Sequence, residues 1–168
     1  FKYSASSGKE QDAEAFVDYK FGNGFETGFD AKRHWGDTEN YEVGAYFGFR
    51  NPDAFETYLG KYRYKNENGG SHHASFMMEQ ELGDIRARLT QTFNHSASTT
   101  DWSTLAQGAY AISDNVALIG QAEYTGNAQG EHNVIPGMGV QVGDVPLVVT
   151  HDTKTGSTNV MVTLKFGF

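Results

Sequence analysis

The sequence predicts an all-β chain: a transmembrane, antiparallel, up-and-down β-barrel of twelve strands, with both termini on the periplasmic side. Three observations predict it. Turn signals recur at even spacing, the segments between them alternate apolar and polar residues, and the last segment, NVMVTLKFGF, keeps that alternation up to Phe168. Phe168, Phe166, Leu164, Val162 and Val160 form one face of that segment, and Gly167, Lys165, Thr163, Met161 and Asn159 the other. A chain end is tied down in this way when its segment is part of a sheet.

Composition narrows the class. The 168 residues suit a single domain, 1–168. Only 38% are hydrophobic, yet there are 20 glycines, 12 phenylalanines and 9 tyrosines, with a mean hydropathy of -0.54. Abundant aromatics and clear periodicity exclude a disordered chain. A sheet with one wet face accounts for the low apolar content, because apolar residues then need to cover only one surface. There is no cysteine, hence no disulfide framework or thiol chemistry. A net charge of -8 argues against nucleic acid as a partner. No segment approaches the roughly 18 apolar residues of a membrane helix. The chain opens on Phe1 without a visible signal peptide, as a mature form would after signal removal.

Short turns read GNG at 22–24, NPDA at 51–54, GD at 83–84, SDN at 113–115 and GD at 143–144, about 30 residues apart. Longer polar stretches lie between them at 8–12, 36–40, 66–73, 95–101, 126–132 and 152–157. Tight turns of this composition join antiparallel strands. The two sets divide the chain into twelve segments of roughly 10 residues, the length of a membrane-spanning strand. The repeats show no self-similarity of the kind a solenoid carries.

The segments alternate in turn. Ala13, Ala15, Val17, Tyr19 and Phe21 oppose Glu14, Phe16, Asp18 and Lys20; Phe25, Thr27, Phe29 and Ala31 oppose Glu26, Gly28, Asp30, Lys32 and His34. Tyr41, Val43, Ala45, Phe47 and Phe49 oppose Glu42, Gly44, Tyr46, Gly48 and Arg50. In the fifth segment (55–65), Tyr58, Gly60, Tyr62 and Tyr64 are assigned to lipid and Lys61 and Arg63 to the lumen, because a cation at the bilayer midplane costs about 2–4 kcal/mol. Ile85, Ala87, Leu89, Gln91 and Phe93 oppose Arg86, Arg88, Thr90, Thr92 and Asn94. Period-two alternation marks half-buried strands. Polar faces that mix charge with glycine suit a wet lumen rather than a packed core. Aromatic and aliphatic pairs flank the short turns as an interfacial girdle: Phe21 and Phe25, Phe49 and Phe55, Leu82 and Ile85, Ile112 and Val116, Val142 and Val145.

Turn register assigns cross-strand neighbours to the lumen charges. Phe21 opposite Phe25 sets Lys20 against Glu26 and Glu14 against Lys32. Trp35 opposite Tyr41 sets His34 against Glu42 and Glu26 against Arg50. Leu82 opposite Ile85 sets Glu81 against Arg86 and Glu79 against Arg88. These pairs hold a wet wall together, and Lys32, Arg50, Arg86 and Arg88 supply a transverse field that sorts anions. Arginine suits carboxylates through its bidentate fork. Lys61 and Arg63 receive no acidic neighbour from turn register and are the expected ligand-facing cations.

Strands eight to eleven turn Leu105, Ala109, Ala111, Ala117, Ile119, Ile135, Gly137, Gly139 and Val148 inward, a small and mostly apolar wall. Twelve tilted strands give a backbone diameter of roughly 24 Å, and side chains on both walls leave a gap on the order of 10 Å. On the lipid side Gly108 opposes Gly120 and Ala106 opposes Ala122, a shallow groove where a second copy or a partner protein can approach closely. Gln80 and Gln91 also fall on the lipid side, and Pro136 within a strand predicts a bulge. His72-His73 has no second pair at ligand spacing, so no metal or cofactor is expected. His95-Ser96 and His151-Asp152 lack an orienting third group, so no catalytic residue and no enzyme are expected. The aspartates at 53, 84, 114 and 144 are explained by turn chemistry.

The twelve-strand layout, with segments such as VDYKFGNGFETGFDAK and LGKYRYKNENG, resembles the small oligogalacturonate-specific porins of the KdgM type. The closing strand is similar to the C-terminal recognition signal of bacterial outer-membrane proteins. The resemblance implies a Gram-negative outer-membrane location, contact with membrane lipid and lipopolysaccharide, and a passive channel for small hydrophilic solutes. Acidic oligosaccharides are its candidate cargo, with Lys32, Arg50, Lys61, Arg63, Arg86 and Arg88 lining the route. The alternative is a structural or assembly barrel that binds partner proteins through Ala106, Gly108, Gly120, Ala122 or its loops and conducts little.

Overall fold

A computed structural model describes residues 2–5, 11–35, 39–54, 56–66, 69–143 and 145–162. They form β1 (Lys2–Ala5), β2 (Gln11–Lys20), β3 (Phe25–Trp35), β4 (Asn40–Asn51), β5 (Glu56–Lys65), β6 (Ser71–Leu82), β7 (Ile85–Ser96), β8 (Thr100–Ser113), β9 (Val116–Asn127), β10 (His132–Val142), β11 (Val145–His151) and β12 (Thr158–Val162). All twelve lie in one sheet in chain order, each antiparallel to the next. One 3-10 turn, Pro52–Ala54, interrupts the strands, and the described residues contain no α-helix. The all-β, up-and-down reading of the sequence therefore stands. The expected girdle member Phe55, the turn residue Asp144 and the closing residues 163–168 lie outside the described residues.

Tight turns set register where they are short. Gly83 (φ 65°) and Gly143 (φ 57°) take the left-handed backbone that two-residue hairpins require, and they hold Leu82 opposite Ile85 and Val142 opposite Val145. Three expectations shift. Between β3 and β4, Arg33 rather than Trp35 opposes Tyr41. Lys32 therefore meets Glu42, His34 meets Asn40 and Glu26 meets Gly48. A two-residue slip leaves every side chain on its expected face, which is why alternation alone could not detect it. At the β8–β9 turn, a bulge between Ala111 and Ser113 places Ser113, not Ile112, opposite Val116. Pro136 makes no bulge: its register with β9 is continuous, and the β10–β11 ladder begins only at Gly137. The missing N–H of Pro136 thus falls beyond the end of that ladder.

The sheet has no interior core. Val148, 4% exposed, is the one buried hydrophobic side chain among the described residues. Most exposed large apolar side chains instead lie along one face, among them Val17 69%, Phe29 64%, Phe47 58% and Met138 74%, while Phe16 and Met161 are exposed on the other. At the long-loop ends the apolar face turns polar-aromatic. Tyr62 Oη lies 2.7 Å from His72 Nδ1, His95 Nδ1 2.7 Å from Thr100 Oγ1, Tyr124 Oη 2.8 Å from His132 Nδ1 and His151 Nδ1 3.1 Å from Thr158 Oγ1. Arg33 sits 5.1 Å from the Trp35 ring and pairs with Glu39. Rings that are apolar in body and polar at the tip suit a membrane–water boundary.

Candidate functional site: the polar face of the sheet

The opposite face carries the charges, and glycines decide how they lie. Gly44 stands between Asp30 and Arg63 in the ladder. A Cβ on Gly44 would collide with the Asp30 carboxylate, so the bare glycine leaves a shelf across which Arg63 Nη2 donates to Asp30 Oδ2 at 3.2 Å. Gly28 stands likewise between Asp18 and Tyr46, and the Tyr46 hydroxyl donates to Asp18 Oδ1 at 3.0 Å above it. Gly48 gives the same room to Glu26 and Leu59, each with a side-chain carbon 3.2 Å from where its Cβ would stand. Long side chains therefore lie flat against the strands and reach across two ladders instead of one.

A second ladder row runs Glu14, Lys32, Glu42, Lys65, alternating in sign across β2 to β5. Lys65 Nζ lies 3.8 Å from Glu42 Oε1, and Arg63 Nη1 lies 3.9 Å from Glu42 Oε2. At the short-turn end, Arg88 donates from Nε (2.9 Å) and Nη2 (2.6 Å) to Glu79 Oε2, and Arg86 Nη2 stands 3.9 Å from Glu81 Oε2. Both pairs are the ones that turn register predicts.

The six expected cations all fall on this face, but they do not form one track. Arg50, Arg86 and Arg88 lie near the short turns, Lys32 and Arg63 near the longer loops, and Lys61 between Tyr46 and Ser75 in mid-strand. Arg63 is not unpartnered, as the sequence suggests, but shared between Asp30 and Glu42. The cause is the shelf at Gly44, which nearest-neighbour pairing overlooks. Lys32, Arg50 and Lys61 have no ion pair among the described residues.

The wall formed by β8 to β11 is more polar than its small apolar residues suggest. Gln107 Nε2 donates to Gln121 Oε1 at 3.0 Å, and Ser103 and Thr125 oppose one another on the same face. At the long-loop end, two loops are stitched together. Lys154 Nζ pairs with Glu131 Oε2 at 3.1 Å, Asn127 Nδ2 donates to the same oxygen at 3.0 Å, and Asn133 Nδ2 donates to Asp152 Oδ1 at 2.9 Å. Asn133 Oδ1 accepts from Thr153 Oγ1 (2.9 Å) and Lys154 N (3.1 Å). The Glu131 carboxyl is held below its ordinary value, first by the Lys154 hydrogen bond and then by Asn127. The Asp152 carboxyl is held below its own, first by the Thr155 backbone N–H and then by Asn133.

On the apolar face, Gln80 Nε2 donates to Tyr58 Oη (2.6 Å) and Glu56 Oε1 (3.2 Å), and the Tyr58 hydroxyl donates to Glu56 Oε1 at 3.1 Å. The unwelcome amide thus has partners. Beside it, Gly108 and Gly120 have open space where a Cβ would stand, next to Ala106 and Ala122. His72 and His73 face opposite sides, and His73 Nδ1 meets Asn94 Oδ1 at 2.5 Å. Among the described residues no group of three His, Cys, Asp or Glu could hold a metal ion. No family model matches the sequence, and no curated protein matches it.

Proposed function

We propose that the sheet closes on itself, spans the bacterial outer membrane as a barrel, and serves as a passive channel for small hydrophilic solutes. The observation behind this reading is the distribution of exposure. A chain of 168 residues most of whose exposed large apolar side chains lie along one face, with one buried hydrophobic residue among those described, needs a surrounding that is not water. A bilayer supplies it, with the exposed face against lipid, the histidine–tyrosine belt at the headgroups and lipopolysaccharide, and the polar face around an aqueous lumen. Closure of β12 onto β1 would satisfy both remaining sheet edges.

In this reading the lumen is zwitterionic. Arg63, Arg86 and Arg88 answer carboxylates on the wall, which leaves Lys32, Arg50 and Lys61 as the cations for an acidic solute such as an oligogalacturonate. Small neutral solutes pass without preference, and selectivity for anions is weak. The open space at Gly108 and Gly120 favours a second reading, a barrel that docks a partner protein on its lipid face and conducts little.

Single-channel recording from folded protein in planar bilayers, with reversal potential under a salt gradient, tests the channel. Stable steps of weak selectivity are expected, moving toward cation preference in Lys61→Glu. Silence from protein whose fold is confirmed by circular dichroism would remove the channel and favour the docking reading.

A further inference from the structure

We propose that the long-loop end of β8 to β10 is a binding site for a neutral saccharide. The proposal rests on the channel reading only in placing the site at the channel mouth; the site itself belongs to the folded sheet. A cavity of about 380 Å³ opens there, within the roughly 300–1,000 Å³ of small-ligand sites. Asn94, Asp101, Ser103, Thr125, Asn133 and Lys154 are among its lining residues. Ladder register puts them together: Asn94 opposes Asp101, while Ser103 opposes Thr125, which opposes Asn133.

Two properties separate this cavity from an ordinary loop crevice. The first is rigidity. The Glu131–Lys154 pair, the Asn127–Glu131 bond and the four hydrogen bonds joining Asn133, Asp152, Thr153 and Lys154 lock its rim before any ligand arrives. Preorganised polar groups lose little freedom on binding. The second is unused hydrogen-bonding capacity on its wall. The Asp101 carboxylate and the Ser103 and Thr125 hydroxyls have no hydrogen-bond partner among the described residues, and Asn94 uses its oxygen on His73 but keeps its amide N–H groups.

That set of groups suits a sugar. A carboxylate accepts from neighbouring hydroxyls, serine and threonine both donate and accept, and an amide N–H donates to a ring or hydroxyl oxygen. Charge selects the class. Asp101 and Glu131 both line the cavity, and its one lysine is already paired with Glu131. An acidic sugar meets like charge here, whereas a neutral one does not.

Titration calorimetry on the full chain folded in detergent tests the site, with maltotriose as the neutral probe and trigalacturonate as the acidic one. Maltotriose is expected to bind, and trigalacturonate at least about tenfold more weakly. The near-isosteric Asp101→Asn, and Ser103→Ala with Thr125→Val, should each weaken maltotriose about tenfold, the loss expected for one or two hydrogen bonds. Circular dichroism of each variant confirms its fold. Three results would each overturn the proposal: no maltotriose heat from folded protein, equal or tighter binding of trigalacturonate, or unchanged affinity in both variants. Binding in detergent requires no conductance, so a silent channel with intact maltotriose binding removes only the channel.

Discussion

Strands β2 to β5 and strands β8 to β11 form the same antiparallel ladder but use glycine in opposite ways. In the first region Gly28, Gly44 and Gly48 lie on the charged face under other residues' side chains, and each vacancy is filled by a carboxylate, a phenol or an aliphatic tip from a neighbouring strand. In the second, Gly108 and Gly120 lie on the apolar face with nothing above them, while on the polar face Gly139 lies hard against the β11 backbone and Gly137 under the Gln121 and Thr150 side chains. Glycine in the first region therefore makes room for long charged side chains to lie along the wall. In the second it thins the wall and leaves a groove outside. A chain of alternating residues can thus build a charge-matched surface and a hydroxyl–amide surface carrying only scattered carboxylates on one face without changing its fold.

The comparison can be broken at several points, beginning with the face assignment that underlies it. Phe47→Lys puts a cation on the apolar face in mid-strand and should destabilise the protein in bilayers by about 2–4 kcal/mol, whereas Tyr46→Lys, one residue away, should cost much less. Denaturant titration of the refolded protein in lipid measures both. Gly44→Val should cost about 1–3 kcal/mol, because its Cβ collides with Asp30 and disrupts the reach of Arg63. In the second region Gly120→Ala should fall within about 0.5 kcal/mol of wild type, since its Cβ meets open space. If the two glycine variants behaved alike, the contrast between the regions would be lost.

Two weaker effects sharpen the contrast. Arg88→Ala removes an exposed ion pair with Glu79 and should lower stability by less than about 1 kcal/mol while raising cation preference in conductance. The loops stitched by Glu131 and Asp152 should respond to acid. Both carboxyls titrate below their ordinary 4.5 and 3.8, so their contribution is complete above those values. It is lost as pH falls through the depressed values. Limited proteolysis by pepsin at descending pH should then open the 127–131 and 152–157 segments before the strands.

Much of the fold was legible because β-structure writes itself locally. Period two and the turn residues place each strand, and two-residue turns such as Gly83-Asp84 fix register outright, which is why Glu79–Arg88 and Glu81–Arg86 could be paired from sequence. The β3–β4 register was not legible because a longer connection tolerates a two-residue slip without moving any side chain to the other face. The reach of Arg63 over Gly44 was missed for a different reason: pairing by adjacent strands assumes a side chain at every position. The loop cluster around Asn133 joins residues about 20 apart in sequence through Asx-type bonds, and no periodicity signals such a contact. Its trace in the sequence is no more than the density of Asn, Asp and Thr in GNAQGEHN and DTKTGS.

The central claim is that alternate residues of these strands meet lipid and water. The chain has no cysteine, so single cysteines can be placed without background. We would measure labelling by a membrane-impermeant maleimide in liposome-reconstituted protein, at successive positions 87–92 of β7. The account predicts that 88, 90 and 92 react, 87, 89 and 91 are protected, and all six become reactive once the lipid is removed by denaturation. Uniform reactivity in liposomes, or protection of the even positions instead, would contradict it.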